Sequence, residues 1–242
     1  MRKVLINLDR STERLGTFYR VNKHIKDVER FSAVDGKGLR SSLKESGLLL
    51  EGEGVDYSDG ALGCALSHAE QWRRVISSGG GRTIIEDDAV FCKNFEEEHK
   101  RLLKTLPETW DIILWGRCSI GPLLYDLLPG FASCIAFLDI EGIRKNLAMF
   151  PEMCMTSNLF KLYKTWGTVC YSISPKGAKK CLEFCFPIKA LDTWFPYFPD
   201  PVPNRGIDCS LTALYPEIEA YVCFPPLVVT PDDQKTSTVQ NQ

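Results

Sequence analysis

Between residues 3 and 116 the chain alternates short apolar runs with stretches of helical period, and this alternation narrows the possible folds more than any other feature. Lys3–Leu8, Arg30–Val34, Arg82–Glu86 and Trp110–Trp115 read as strands. Between them, Leu15, Phe18, Val21, Ile25 and Val28 recur at helical spacing behind a cap at Ser11 or Thr12. Leu62, Leu66, Ala69, Trp72 and Ile76 share the face of a second helix, and Phe95, Leu102 and Leu103 mark a third. Residues 37–58 are polar and glycine-rich, an excursion with one short helix. Strands alternating with helices predict an α/β fold, an open and mainly parallel sheet with helices on both faces. Such sheets bind ligands beyond the carboxyl ends of their strands.

One of those ends carries three consecutive carboxylates. "TIIEDDAVF" closes a buried strand on Glu86, Asp87 and Asp88, and neighbouring carboxylates raise each other's pKa, more so when buried. Something positive is therefore expected there. If the strand stays extended, Glu86 and Asp88 face one way and Asp87 the other. Oxygen ligands in this pattern suit Mg²⁺ or Mn²⁺, which keeps positions for water or phosphate. The plain alternative is a solvated acidic turn, or a cap for the helix near Lys93.

Other features limit the function classes. The sequence is 242 residues long with 44% hydrophobic and 25% charged residues, enough for one substantial core. A net charge of -2 gives no support for a nucleic-acid groove. No apolar run approaches the ~20 residues of a membrane span. The apolar run at the N-terminus is too short for a signal peptide, so the expectation is a cytoplasmic protein, peripheral at most to a membrane. Ten scattered cysteines without a C-x-x-C pair read as free thiols, with Cys181 and Cys185 on one helix face. The second half is less regular: a strand over 168–174, a helix opened by Pro175, a Pro- and aromatic-rich loop over 187–206, and a last strand over 218–224. The expected organisation is a single domain over 1–242. Its first half is 1–116, its second half 117–230, and its polar tail 231–242.

The ordered series "VLINLDRSTERL" (4–15), "RFSAVDG" (30–36), "GALGCALSHAEQWRRVI" (60–76), "TIIEDDAVF" (83–91), "WDIILWG" (110–116), "GTVCYSISPKGAKKCLE" (167–183) and "PIKALDTWFP" (187–196) resembles the family 25 glycosyltransferases. That family includes bacterial lipooligosaccharide and animal collagen galactosyltransferases. The resemblance implies a GT-A fold, a UDP-sugar donor, a saccharide or glycan acceptor, and Mn²⁺ or Mg²⁺ on a DXD-like motif. Asp88 is then the expected principal metal ligand, with Glu86 or Asp87 completing the shell or touching ribose.

The remaining site residues follow from place and type. Asn7, Leu8, Asp9 and Arg10 sit at the rim of the first strand, where Arg10 or Arg14 and a helix N-terminus suit a diphosphate. The alternative for Arg14 is a surface pair with Glu13 or Asp9. Asp35 suits ribose or uracil, or is simply a turn-forming Asp-Gly. Ser67 and His68 lie on the helix before the acidic strand. His68 reads as a base, a ligand, a group orienting a carboxylate, or a core residue, while His24 and His99 read as surface residues. Asp192, among Leu191, Trp194, Phe195 and Phe198, is the expected catalytic base, although Ala190 stands where the collagen enzymes have proline. Asp87 and Asp208 come next. Trp194 or Tyr197 offers a flat face to an acceptor sugar. The implied reaction is hexose transfer, galactose most often, with inversion. The competing readings are a nucleotidyltransferase or other metal-assisted phosphoryl enzyme, and a non-catalytic nucleotide-sugar binder.

Overall fold

The structure is a computed structural model that describes residues 1–50, 55–196 and 198–232. In chain order, β1 (Arg2–Asn7), α1 (Thr12–Val21), β2 (Val28–Ser32), α2 (Arg40–Glu45), α3 (Asp59–Ser78) and β3 (Arg82–Glu86) come first. β4 (Val90–Phe91), α4 (Phe95–Leu103), β5 (Ile112–Gly116), β6 (Leu123–Leu128), β7 (Ala132–Ala136) and α5 (Ile140–Asn146) follow. The rest comprises β8 (Asn158–Lys164), β9 (Cys170–Ile173), α6 (Pro175–Cys185), β10 (Asp192–Thr193), β11 (Val202–Pro203), α7 (Ile207–Leu214), β12 (Ala220–Phe224) and β13 (Val228–Val229).

Nine strands form one sheet in the order β2-β1-β3-β9-β5-β12-β8-β6-β7. The pairs β2/β1, β1/β3 and β5/β12 are parallel, and β9 enters antiparallel between β3 and β5. The α/β architecture is of GT-A type, with parallel pairing at the β2-β1-β3 edge and an antiparallel extension through β8, β6 and β7.

Strand alternation divides the core in two. Ile6, Ile84, Ile112, Leu114 and Tyr171 face one cluster with Leu62 and Trp72 of α3 and Cys181 of α6. Leu5, Ile85, Ile113, Trp115 and Cys170 face the other, with Phe18 of α1 and Phe95 and Leu102 of α4. Successive residues of one strand thus hold helices on opposite faces. Each fully buried aliphatic side chain contributes about 1.5–3 kcal/mol. All ten cysteines are free thiols, and Cys181 and Cys185 are both buried on α6. No helix among the described residues is long and apolar enough to cross a membrane.

Several expectations need correction. The first helix ends at Val21, so Ile25 and Val28 do not extend it, and β2 starts at Val28. The carboxamide of Asn22 donates to Ala89 O (2.8 Å) and accepts from Phe91 N (3.0 Å), while Asp27 turns the chain at φ 55°. Aspartate tolerates this left-handed conformation better than most residues. His99 is buried rather than on the surface, and burial, reinforced by the N-terminus and Lys3, pushes its pKa down to about 4.

Two glycines bring α3 against the chain that leaves β2. A Cβ on Gly63 would lie 2.5 Å from Val34 O, and one on Gly36 would lie 2.5 Å from Gly63 N. Only glycine at both positions allows this approach. Gly63→Ala is expected to lower stability by about 1–3 kcal/mol, the usual cost of overpacking, and to weaken ligand binding in the adjoining cavity. Thermal melting and ligand titration check this.

Candidate active site

β1, β2 and β3 run parallel and end side by side, so the segments that leave them meet at one rim. They enclose a cavity of about 180 Å³. Its walls include Asn7, Leu8, Arg10 and Arg14 from the β1 side, Asp35 and Gly36 beyond β2, and Glu86, Asp87 and Asp88 beyond β3. α3 contributes Cys64, Ser67 and His68, and Cys118, Ile120 and Asp232 complete the lining. Five of these residues are carboxylic acids and two are arginines, so the cavity carries a formal excess of negative charge.

The acidic triplet is not an extended strand. β3 ends at Glu86, whose carbonyl accepts from Ala89 N (3.2 Å), so Asp87 and Asp88 occupy the middle of a tight turn. The turn is forced because the chain leaves the main sheet for β4, which pairs with β13, and Asn22 clamps it from behind. Strict alternation therefore fails here, and all three acids line the cavity.

Their environments differ. Asp87 accepts from Arg14 Nε (2.8 Å) and Asn7 Nδ2 (2.6 Å), so both its oxygens are engaged. Asn7 also accepts from Arg30 Nε (3.1 Å) through its own carbonyl oxygen. Glu86 is raised by burial, but contact with His68, a hydrogen bond from Thr168 Oγ1 and the charge of Arg14 outweigh this and hold its carboxyl below the usual value. Asp88 takes the opposite course. Burial, then the charge of Glu86, push it up to about 7, against the pull of Arg14 3.7 Å away. Its Oδ1 is buried without a hydrogen-bond partner among the described residues. A buried carboxylate oxygen left in this state normally costs 1–3 kcal/mol or more, and a divalent cation would remove that cost.

The other expected residues divide clearly. Arg10 forms an ion pair with Asp35 across the mouth, joining the β1 and β2 segments. Asp9 is turned away from the cavity: Arg30 (2.5 Å) and Ser32 (2.8 Å) hold its exposed carboxylate below the ordinary range. Ser67 lines the cavity, but its hydroxyl accepts from Val34 N (2.9 Å) and donates to Gly63 O (2.7 Å), which gives it a structural task. His68 is fully buried, with Nδ1 2.8 Å from the Tyr171 hydroxyl, which also accepts from Trp72 Nε1 (2.8 Å). This aims Nε2 at Glu86 Oε1, 3.4 Å away.

Asp192 is exposed on β10, outside the cavity lining. The aromatics expected to desolvate it pack elsewhere: Phe195 and Phe198 cluster with Trp166, and Trp194 is 59% exposed. Tyr197 lies outside the described residues. Asp208 opens α7, accepting from Gly167 N (3.0 Å) and Cys209 N (3.0 Å). Burial raises its pKa, the Gly167 hydrogen bond lowers it and the charge of Glu86 raises it further, for a net upward shift.

Sequence reading missed Cys64, Cys118, Ile120 and Asp232 as cavity residues. Ser119 N donates to Asp232, and Arg144 Nε and NH2 donate to the carbonyls of Pro231 (2.9 Å) and Asp232 (2.7 Å). No local pattern marks these contacts, because they join segments 87 or more residues apart.

A GT-A type α/β sheet with an acidic turn beyond β3 defines a class of nucleotide-sugar-binding folds. The sequence model of Glycosyltransferase family 25 (LPS biosynthesis protein) matches residues 1–194, and the chain belongs to that family. It is 36% identical over 140 residues to the mouse (Mus musculus) inactive glycosyltransferase 25 family member 3, covering 49% of this chain and 24% of that one. It is 35% identical over 128 residues to human (Homo sapiens) procollagen galactosyltransferase 2, covering 47% and 20%. With zebrafish (Danio rerio) procollagen galactosyltransferase 1 it shares 32% identity over 194 residues, covering 74% and 28%. The matched regions thus span about a quarter of these relatives' lengths.

Proposed function

We propose that this chain is a metal-dependent glycosyltransferase that moves a hexose, galactose from UDP-galactose, onto a hydroxyl of a saccharide or glycan acceptor with inversion. The observation that carries the reading is the buried Oδ1 of Asp88, without a hydrogen-bond partner among the described residues, in a cavity whose lining acids outnumber its arginines five to two. A diphosphate brings more negative charge into such a site, so it needs a cation there. Asp88 and Glu86 suit a hard divalent ion by their oxygen donors. When bound, that ion offsets the charge growing on the departing nucleotide.

The protein's own groups supply the rest. Arg14, held by Asp87, which Asn7 fixes in turn, presents its cation at the same turn and is suited to phosphate oxygens. Asp35 and Arg10 suit ribose and base at the mouth, and Leu8 offers an apolar wall. Asp87 serves by positioning Arg14 rather than as a base, since its carboxylate is ion-paired with that guanidinium. The acceptor hydroxyl loses its proton to a carboxylate from the second half of the chain. Asp208 suits this role better than Asp192 because burial raises its proton affinity.

A non-catalytic nucleotide-sugar binder is the second reading, favoured by the relative that is called inactive. Donor turnover separates the two. EDTA is expected to abolish UDP-galactose hydrolysis and transfer, and Mn²⁺ to restore them better than Ca²⁺, because the site is compact. Full activity in a metal-free preparation would remove the metal from this reading, and donor binding without any turnover would favour the binder.

A further inference from the structure

Cys64 and His68 on the α3 wall of the cavity stand together with Glu86 at the end of β3, one ligand atom from each lying within 4.8 Å of the others. We propose that these three side chains form a site for a borderline-soft divalent transition metal of the Zn²⁺ class, which shares Glu86 with the all-oxygen site at Asp88 but adds a sulfur and a nitrogen donor. The proposal stands on these side chains and does not depend on the transferase reading.

Three observations carry it. Cys64 and His68 are four residues apart on α3, so both project from one face of the helix. His68 Nε2 is buried and has no hydrogen-bond partner among the described residues, although it points at Glu86 Oε1 3.4 Å away. Zn–N and Zn–O bonds of about 2.0–2.2 Å at a tetrahedral angle place the two ligand atoms about 3.4 Å apart. The observed separation is therefore long for a hydrogen bond and right for two ligands of one ion.

The surroundings match those of metal ligands. The Tyr171 hydroxyl faces Nδ1 at 2.8 Å, so a metal-bound His68 can donate its Nδ1–H there while Trp72 Nε1 donates to the same oxygen. Thr168 Oγ1 donates to Glu86 Oε1, fixing the carboxylate. Outer partners of this kind orient ligands and raise their basicity. Three protein ligands leave a fourth position open toward the cavity, as in zinc sites that bind an exchangeable group. A buried thiol resists ionisation, so Cys64 would release its proton as the metal binds. A water molecule is the competing occupant, because the site is polar and adjoins open volume.

Cobalt separates these outcomes. Co²⁺ titrated into the full chain under a non-chelating reductant is expected to produce a thiolate-to-cobalt charge-transfer band that Zn²⁺ displaces and excess Mg²⁺ does not. Cys64→Ser should abolish the band. Tyr171→Phe, which keeps all three ligands, should weaken Co²⁺ binding about 10- to 100-fold. In the unmodified chain, Zn²⁺ should slow alkylation of Cys64 relative to Cys118, which lines the same cavity. Absence of the band, or its persistence in a folded Cys64→Ser variant, overturns the site. Should that variant fail to fold, an unchanged alkylation rate of Cys64 with Zn²⁺ overturns it equally.

Discussion

Asp88→Asn is expected to reduce transfer about 10³-fold, which corresponds to about 4 kcal/mol of lost transition-state stabilisation, while leaving the chain folded. The same variant should be more stable than the parent at pH 8 in the absence of metal. The sign follows from linkage. Burial and Glu86 raise the folded-state pKa of Asp88 to about 7, above its unfolded value near 4. Between those values the folded chain binds more protons than the unfolded one. The favourable contribution of protonated Asp88 is thus present at low pH and is lost as pH rises through about 7. Asparagine stays neutral, so the variant should gain melting temperature at pH 8 and little at pH 5, at about 2–4 °C per kcal/mol for a chain of this size. Kinetics with Mn²⁺ and melting at the two pH values check both parts. A variant that transfers normally, or gains equally at both pH values, contradicts the role assigned to Asp88.

Asp208→Asn is expected to lower turnover with acceptor by about 10²–10⁴-fold, the usual contribution of a general base, with donor and Mn²⁺ affinity nearly unchanged. A base acts in the transition state, so its loss falls on turnover rather than on donor binding. The acidic limb of the pH–rate profile should disappear with it. Asp192→Asn, on exposed β10, should have a small effect. The reverse pattern would return the role to Asp192, and a loss of donor binding in Asp208→Asn would place that residue in the donor site. Asp208 also accepts two backbone hydrogen bonds at the start of α7, so melting measurements are needed to separate lost chemistry from lost structure.

Much of the first half, residues 1–116, was legible because it is locally encoded. β3 falls at Arg82–Glu86 as expected, since a glycine turn, an apolar run and a charged end all lie within ten residues. Leu62, Ala69 and Trp72 share the buried face of α3 because helical period and burial agree there. The second half was less legible. β8 pairs with β6 and with β12, both far from it in the chain, and α7 is a short helix opened by Gly206 without a side-chain cap. His99 lies in a polar helix sequence, yet Thr83 and Ser172 from two strands meet its ring at 3.3 Å.

By itself the sequence determined the alternation of strands and helices, the acidic end of β3 and the family resemblance, because each rests on residues close together in the chain. Only the tertiary structure decided how the three acids differ. Asp87 is tied to Arg14 73 residues away, Glu86 to Thr168 82 residues away, and Asp88 keeps a buried oxygen without a partner among the described residues. The same holds for Cys64, which becomes a candidate ligand only when α3 lies against the end of β3, and for Asp232, which reaches the cavity through Ser119 and Arg144. Charge and burial act through space, so a carboxylate's chemistry depends on neighbours that its own segment does not contain.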